Sequence, residues 1–315
     1  MPAIEMNTTD PNNGNAARIR SKNFSNRERD EYLRAQKDAF YGQLQGVGFN
    51  TNALVASDTK TSGIVTVKFY KSGSPSPNYS KIKSATKKAL EWLAGDPALT
   101  FPNNELSIFI AEESDLSLGY FYKDGFVEKA SIALGKTAVQ DVANAMNVTV
   151  STEVKAHYSS AITISSQTRR IMTIVVHEMG HLFHQQNDLW KYKTLGNLQM
   201  IGAQGVSEEA VRHGMDATPD KVAELNGATA AAIYKFILNT RYAGKCVSMY
   251  AYSGGLNELV AEVFSALIMG SPIGGDNGNT SEYLDPPFPT YAQILAMYAE
   301  LGGAVPAAGA MHVRK

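Results

Sequence analysis

Between Ile171 and Gln186 the chain reads IMTIVVHEMGHLFHQQ, with His177 and His181 four residues apart and Glu178 next to the first. On a helix that spacing stacks the two imidazoles one turn apart on one face, where both can reach one metal ion. Glu178 leaves the same helix about 100° further round. It can touch a water held by that ion without binding the ion itself. These are the mechanical parts of the H-E-x-x-H pattern: two zinc ligands and a general base for hydrolysis. With 6 histidines in 315 residues, the pattern arises by chance in roughly half a percent of chains of this composition. A plain buried helix would also have to explain three polar groups inside an apolar run, because such groups are costly to bury without partners.

Two histidines leave a catalytic zinc site one protein ligand short. The extended pattern H-E-x-x-H-x-x-G-x-x-H fails here, since His184 stands at its glycine and Asn187 at its last histidine. His184 shares a face with His177 but lies two turns along, too far to share an ion. His157, His213 and His312 are isolated, and each reads as an ordinary structural or surface histidine. A better source is Asn257-Glu258-Leu259-Val260-Ala261-Glu262, whose carboxylates sit four apart in an apolar run. A solvent-facing acidic pair is the plain alternative. Glu262, between Ala261 and Val263, is easier to justify if it meets a metal or hydrogen-bonds a ligand histidine. The favoured assignment is Glu258 as third ligand with Glu262 behind the ligands, the reverse being the alternative.

HEMGH followed by N-E-x-x-x-E resembles the gluzincin clan of zinc metallopeptidases, in which a glutamate on a downstream helix completes the site. More narrowly, Val247-Ser248-Met249-Tyr250-Ala251 ahead of Glu258-Leu259-Val260-Ala261-Glu262 is similar to the lethal-factor-like branch, which includes the Pro-Pro endopeptidases. The resemblance implies a zincin-like α+β fold and a bound Zn2+. It also implies a tyrosine shortly before the ligand glutamate that stabilises the oxyanion, a role it assigns to Tyr250. Counted back from Glu258, Tyr250 lies one residue too far and Tyr252 one too near, so both are candidates; ordinary packing tyrosines are the plain reading. The implied reaction is hydrolysis of a protein or peptide substrate with Glu178 as general base. An endopeptidase is favoured over an aminopeptidase, because no acidic cluster close before the motif would hold a free amine. A toxin or effector role follows by analogy alone. The rival from another class is a non-catalytic, zinc-containing protein-binding module.

The elements that must position these residues are legible in part. Residues 1–28 read as a flexible arm. Asp30–Gln45 reads as an amphipathic helix with Leu33, Phe40 and Leu44 inward and Lys37 interrupting the stripe. Gly63–Tyr70 and Glu105–Ala111 alternate as strands, and Ser80–Leu93 reads as a helix. Phe126–Leu134 and Ser160–Ser165 are further strand candidates, and either could be an edge that pairs with an extended substrate. Thr137–Ala145 reads as a short helix, and Thr168 as the cap of the helix bearing His177. Beyond Asp188 the chain turns helical, with Ser207–His213, Pro219–Arg241, Leu256–Met269 and Thr290–Leu301 as helices. The implied organisation is an α+β upper subdomain over 29–186, a helical lower one over 187–301 and a tail over 302–315.

The composition, 44% hydrophobic and 19% charged, is that of a globular chain with ample core material. A formal charge of −1 gives no electrostatic reason to expect nucleic acid. The single Cys246 excludes an internal disulfide or a multi-cysteine zinc site. No segment approaches the ~18 apolar residues of a membrane span. The N-terminus lacks the apolar core of a signal peptide. The expectation is a cytoplasmic protein, one exported without such a peptide, or one from which a leader has been removed. Oligomeric state is not readable.

Overall fold

The computed structural model describes residues 4–7, 16–19, 24–73, 77–93, 96, 99–111, 117–135, 166–203, 240, 243–244, 246–270, 273–274 and 289–306. The expected elements at Thr137–Ala145, Ser160–Ser165 and Ser207–His213, and almost all of Pro219–Arg241, lie outside these residues, as do His157, His213 and His312. The chain divides into two compact units. One comprises 25–186, 264–272 and 304–315, and the other 1–24, 187–263 and 273–303.

The first unit is α+β. Helix α1 (Asn26–Gly46) opens with a capping box in which the Ser25 side chain accepts from the Glu28 amide and Glu28 reaches back to Ser25. Helix therefore begins inside the stretch read as an arm. Leu33, Phe40 and Leu44 are its buried stripe. Phe40 and Leu44 join Phe49, Phe109, Ala111, Tyr122 and Ala133 in one apolar cluster, and burying Phe40 alone contributes about 2 kcal/mol. Lys37, which breaks the stripe, finds Asp124 at 2.8 Å. Arg29 pairs with Glu128 and Asp30 with Lys123, so the helix is tied to one hairpin by three ion pairs.

The five-stranded sheet runs β3-β4-β5-β7-β6. Its members are β3 (Asp58–Ser62), β4 (Val65–Lys71), β5 (Glu105–Ala111), β6 (Ser117–Asp124) and β7 (Val127–Gly135). The three central strands are mutually parallel and both flanking strands antiparallel. Central β7 is buried without alternation from Ala130 to Gly135, as expected where both faces are covered. Two hairpins share one design. Ser62 pairs with Val65 and Asp124 with Val127, leaving the two-residue turns Gly63-Ile64 and Gly125-Phe126. Each glycine has positive φ, 58° and 62°, as a first turn position of this type requires. Between β4 and β5 runs α2 (Pro77–Leu93), burying Ile82, Ala85, Ala89, Leu90 and Leu93. Its Lys83 pairs with Asp58. The unit also holds α3 (Ser166–Asn187), which already runs through Thr168; that residue is inside the helix and not its cap.

Of the two candidates for a substrate-pairing edge, Ser160–Ser165 lies outside the described residues. Phe126–Leu134 falls on β7, in the interior of the sheet, and among the described residues the outer strand beside it is β6. Leu118, Tyr120 and Tyr122 alternate along β6, and the Gly125-Phe126 turn follows, so its signal was present in the sequence.

The second unit contains a small antiparallel pair, β1 (Ile4–Asn7) with β2 (Ala16–Ile19), where the sequence reads as an arm. It is otherwise helical in the described residues: α4 (Leu189–Ala203), α5 (Met249–Ser253) and α7 (Tyr291–Glu300), the last capped by a Thr290–Gln293 capping box. Helix α6 (Leu256–Met269) gives residues 256–263 to this unit and the remainder to the other. No described helix is long and apolar enough to cross a membrane.

Candidate metal centre

Helix α3 is buried from Ile171 to Gln185. His177, Glu178 and His181 are 6%, 4% and 8% exposed, so all three polar groups lie within the packed interior while keeping a sliver of access. The two imidazoles meet edge to face, one turn apart along the helix, with ring centroids 4.9 Å apart and planes at 82°. His184, one turn on, is fully buried in the last turn.

Strand β6 holds this turn from the side. A Cβ on Gly119 would collide with the Glu178 carbonyl and come within 3.3 Å of the His181 Cβ; only glycine permits the approach. Gln185 adds a second clamp. Its Nε2 donates to the Gly119 carbonyl at 3.0 Å and to the His181 carbonyl at 3.1 Å, while its Oε1 accepts from the Phe121 amide at 3.1 Å. Further along α3, Phe183 packs on Phe101 and Phe264, and the Ser265 hydroxyl donates to the Thr173 carbonyl.

Glu258 lies in the first turn of α6 and is half-buried. One turn later Glu262 is buried, its Oε2 accepting from the Ser248 hydroxyl at 2.7 Å. The neighbouring Asn257 donates to the Tyr192 carbonyl at 3.3 Å. Gly254 is crowded: a Cβ there would meet Glu258 Cγ at 2.8 Å and the Tyr250 carbonyl at 2.9 Å. The tyrosine-bearing helix α5 thus closes directly on the start of α6. Tyr250 is 43% exposed and Tyr252 half-buried.

One ligand atom from each of His177, His181 and Glu258 lies within 4.8 Å of the other two. Glu262 is not in that group. Donors around a tetrahedral zinc at ~2.0–2.1 Å stand roughly 3.3 Å apart, which is inside the 4.8 Å limit that these atoms meet. Two imidazoles and a carboxylate also form a donor set that zinc accepts. Asn187, at the last position of the failed extended pattern, donates instead to the Gly302 carbonyl at 3.1 Å. Burial pushes the Cys246 thiol up, which leaves it a poor nucleophile.

Sequence reasoning missed Gly119, Gln185 and Ser248. Of these only Ser248 carried a local signal, a serine directly before a short helix. Comparisons with protein-family models, with curated proteins and with solved structures find no match.

Proposed function

We propose that this chain is a zinc-dependent metallopeptidase of zincin-like architecture, acting as an endopeptidase on protein or peptide substrates. The reading is carried by one observation, the buried helical turn that holds Glu178 together with two imidazoles whose ring centroids are 4.9 Å apart. A purely structural zinc site has no use for that carboxylate. The grouping of Glu258 with the two histidines supports it further. His177, His181 and Glu258 would hold the ion, which when bound polarises a carbonyl and lowers the pKa of a water. Glu178 takes the proton from the attacking water and passes it to the departing amine. Tyr250 donates to the developing oxyanion; of the two tyrosines it is the one with substantial access to solvent.

The test is metal analysis of the purified chain together with digestion of a proteome-derived peptide library, read by mass spectrometry with and without a chelator. One zinc per chain and chelator-sensitive internal cleavage are expected. Stoichiometric zinc with no cleavage would point instead to a non-catalytic zinc module that binds a protein. Absence of zinc would end both readings.

A further inference from the structure

Helix α5 spans only Met249–Ser253. A helix of that length makes too few internal hydrogen bonds to hold itself, so its position depends on what fixes its ends. At the N-terminal end Ser248 is the cap: its Oγ accepts from the Ala251 amide at 2.9 Å. The same hydroxyl donates its proton to Glu262 Oε2 at 2.7 Å. That donation fixes the hydroxyl rotor, because a serine with its hydrogen committed to a carboxylate presents its lone pairs to the helix. At the C-terminal end the Gly254 amide donates to the Tyr250 carbonyl at 2.7 Å, and Gly254 abuts Glu258. Gly255 then turns the chain with φ 114° into α6. Both ends of the tyrosine-bearing helix are therefore set by α6, one through Glu262 and the other through Glu258.

We infer that Glu262, acting through Ser248, is a positioning residue for the hydroxyl of Tyr250. This rests on the peptidase reading for its consequence but not for its geometry. Glu258 and Glu262 lie four apart on α6, on one helical face. The helix that offers the acid of the metal group thus also orients the tyrosine proposed to act on the oxyanion. A side chain expected to serve the metal ligands has a second task, anchoring an element whose cap lies fourteen residues earlier in the chain.

The test uses full-length protein and the variants S248A, S248T, Y250F, E262A and the double variant S248A/Y250F. Steady-state kinetics is measured on a peptide from the library digest, alongside zinc content. Amide exchange at Ala251 is followed in zinc-loaded protein. Loss of the cap and of an aligned donor predicts that S248A lowers kcat by about tenfold or more, with KM and zinc content unchanged. S248T, which keeps the hydroxyl, restores kcat. In the Y250F background S248A costs less than about twofold, since its route of action has gone. S248A and E262A both speed exchange of the Ala251 amide. The inference is overturned if S248A costs the same factor with and without the Tyr250 hydroxyl, or if Ala251 exchange is unchanged in E262A. Should wild-type protein cleave nothing, the peptidase reading fails by itself, and Ala251 exchange in E262A still decides whether Glu262 fixes this helix. Circular dichroism confirms that each variant folds; S248T provides the comparison if S248A does not.

Discussion

Glu178 and Gly119 make opposite demands at one point, a buried carboxylate and a neighbour with no side chain at all. Replacing Glu178 by Gln keeps the shape of the buried turn but removes the base. E178Q is expected to retain stoichiometric zinc and lose cleavage by at least a hundredfold; residual kcat within roughly tenfold of wild type would refute the general-base role. Gly119→Ala would push on the Glu178 carbonyl. Forced overpacking of this kind costs typically ~1–3 kcal/mol, so the urea midpoint should fall and activity with it. An unchanged midpoint would mean that strand and helix part without cost. The histidines and Glu178 were legible because helical spacing is a local property of the chain. Gly119 and Gln185 were not, because Gln185 finds its Gly119 partner 66 residues away and nothing near either residue announces the other.

Among the elements, those with a periodic apolar stripe were readable: Glu105–Ala111 and Leu256–Met269 have the expected bounds, and α1 buries the expected Leu33, Phe40 and Leu44. Strand β3, with no apolar residue in Asp58–Ser62, had no such stripe. It is a strand because β4 pairs with it across a glycine turn. The seam between α1 and the β6–β7 hairpin is electrostatic at its rim, and this gives a pH signature. The Lys37 ammonium beside Asp124, with Lys129 adding to it, holds the Asp124 carboxyl below its usual range. In the unfolded chain the carboxyl returns to about 3.9 and binds protons more readily, so the ionised form stabilises the folded state above that value. The contribution drains away as the pH falls from there through the lowered folded value. D124N should lower the urea midpoint at pH 7 and lose less further stability than wild type between pH 5 and pH 3. An acid limb as steep as that of wild type would show that Asp124 is not part of it.

For the whole molecule, near-neutral charge and ample apolar content described the chain's class but not its partition. Reading along the sequence draws contiguous blocks. In the structure residues 1–24 belong with 187–263, and residues 264–272 with 25–186, because packing follows apolar faces and not chain order. Metal should be felt globally if the proposed ligands bind it. Zinc at a hundredfold excess over its Kd stabilises by about 2.7 kcal/mol. A chelator should therefore lower the thermal midpoint by several degrees, at about 2–4 °C per kcal/mol for roughly this size. Zinc should restore it and magnesium should not. A midpoint indifferent to chelator would count against any bound ion.

The side-chain amide of Gln185 does for β6 what a neighbouring strand would otherwise do. By taking up the Gly119 carbonyl and the Phe121 amide, it uses up two backbone groups that a strand from a second molecule would need as a template. Exposed strand borders invite sheet-to-sheet assembly. Among the described residues β6 is the outer strand of the sheet, and there one buried glutamine occupies two of the backbone groups that such pairing would use.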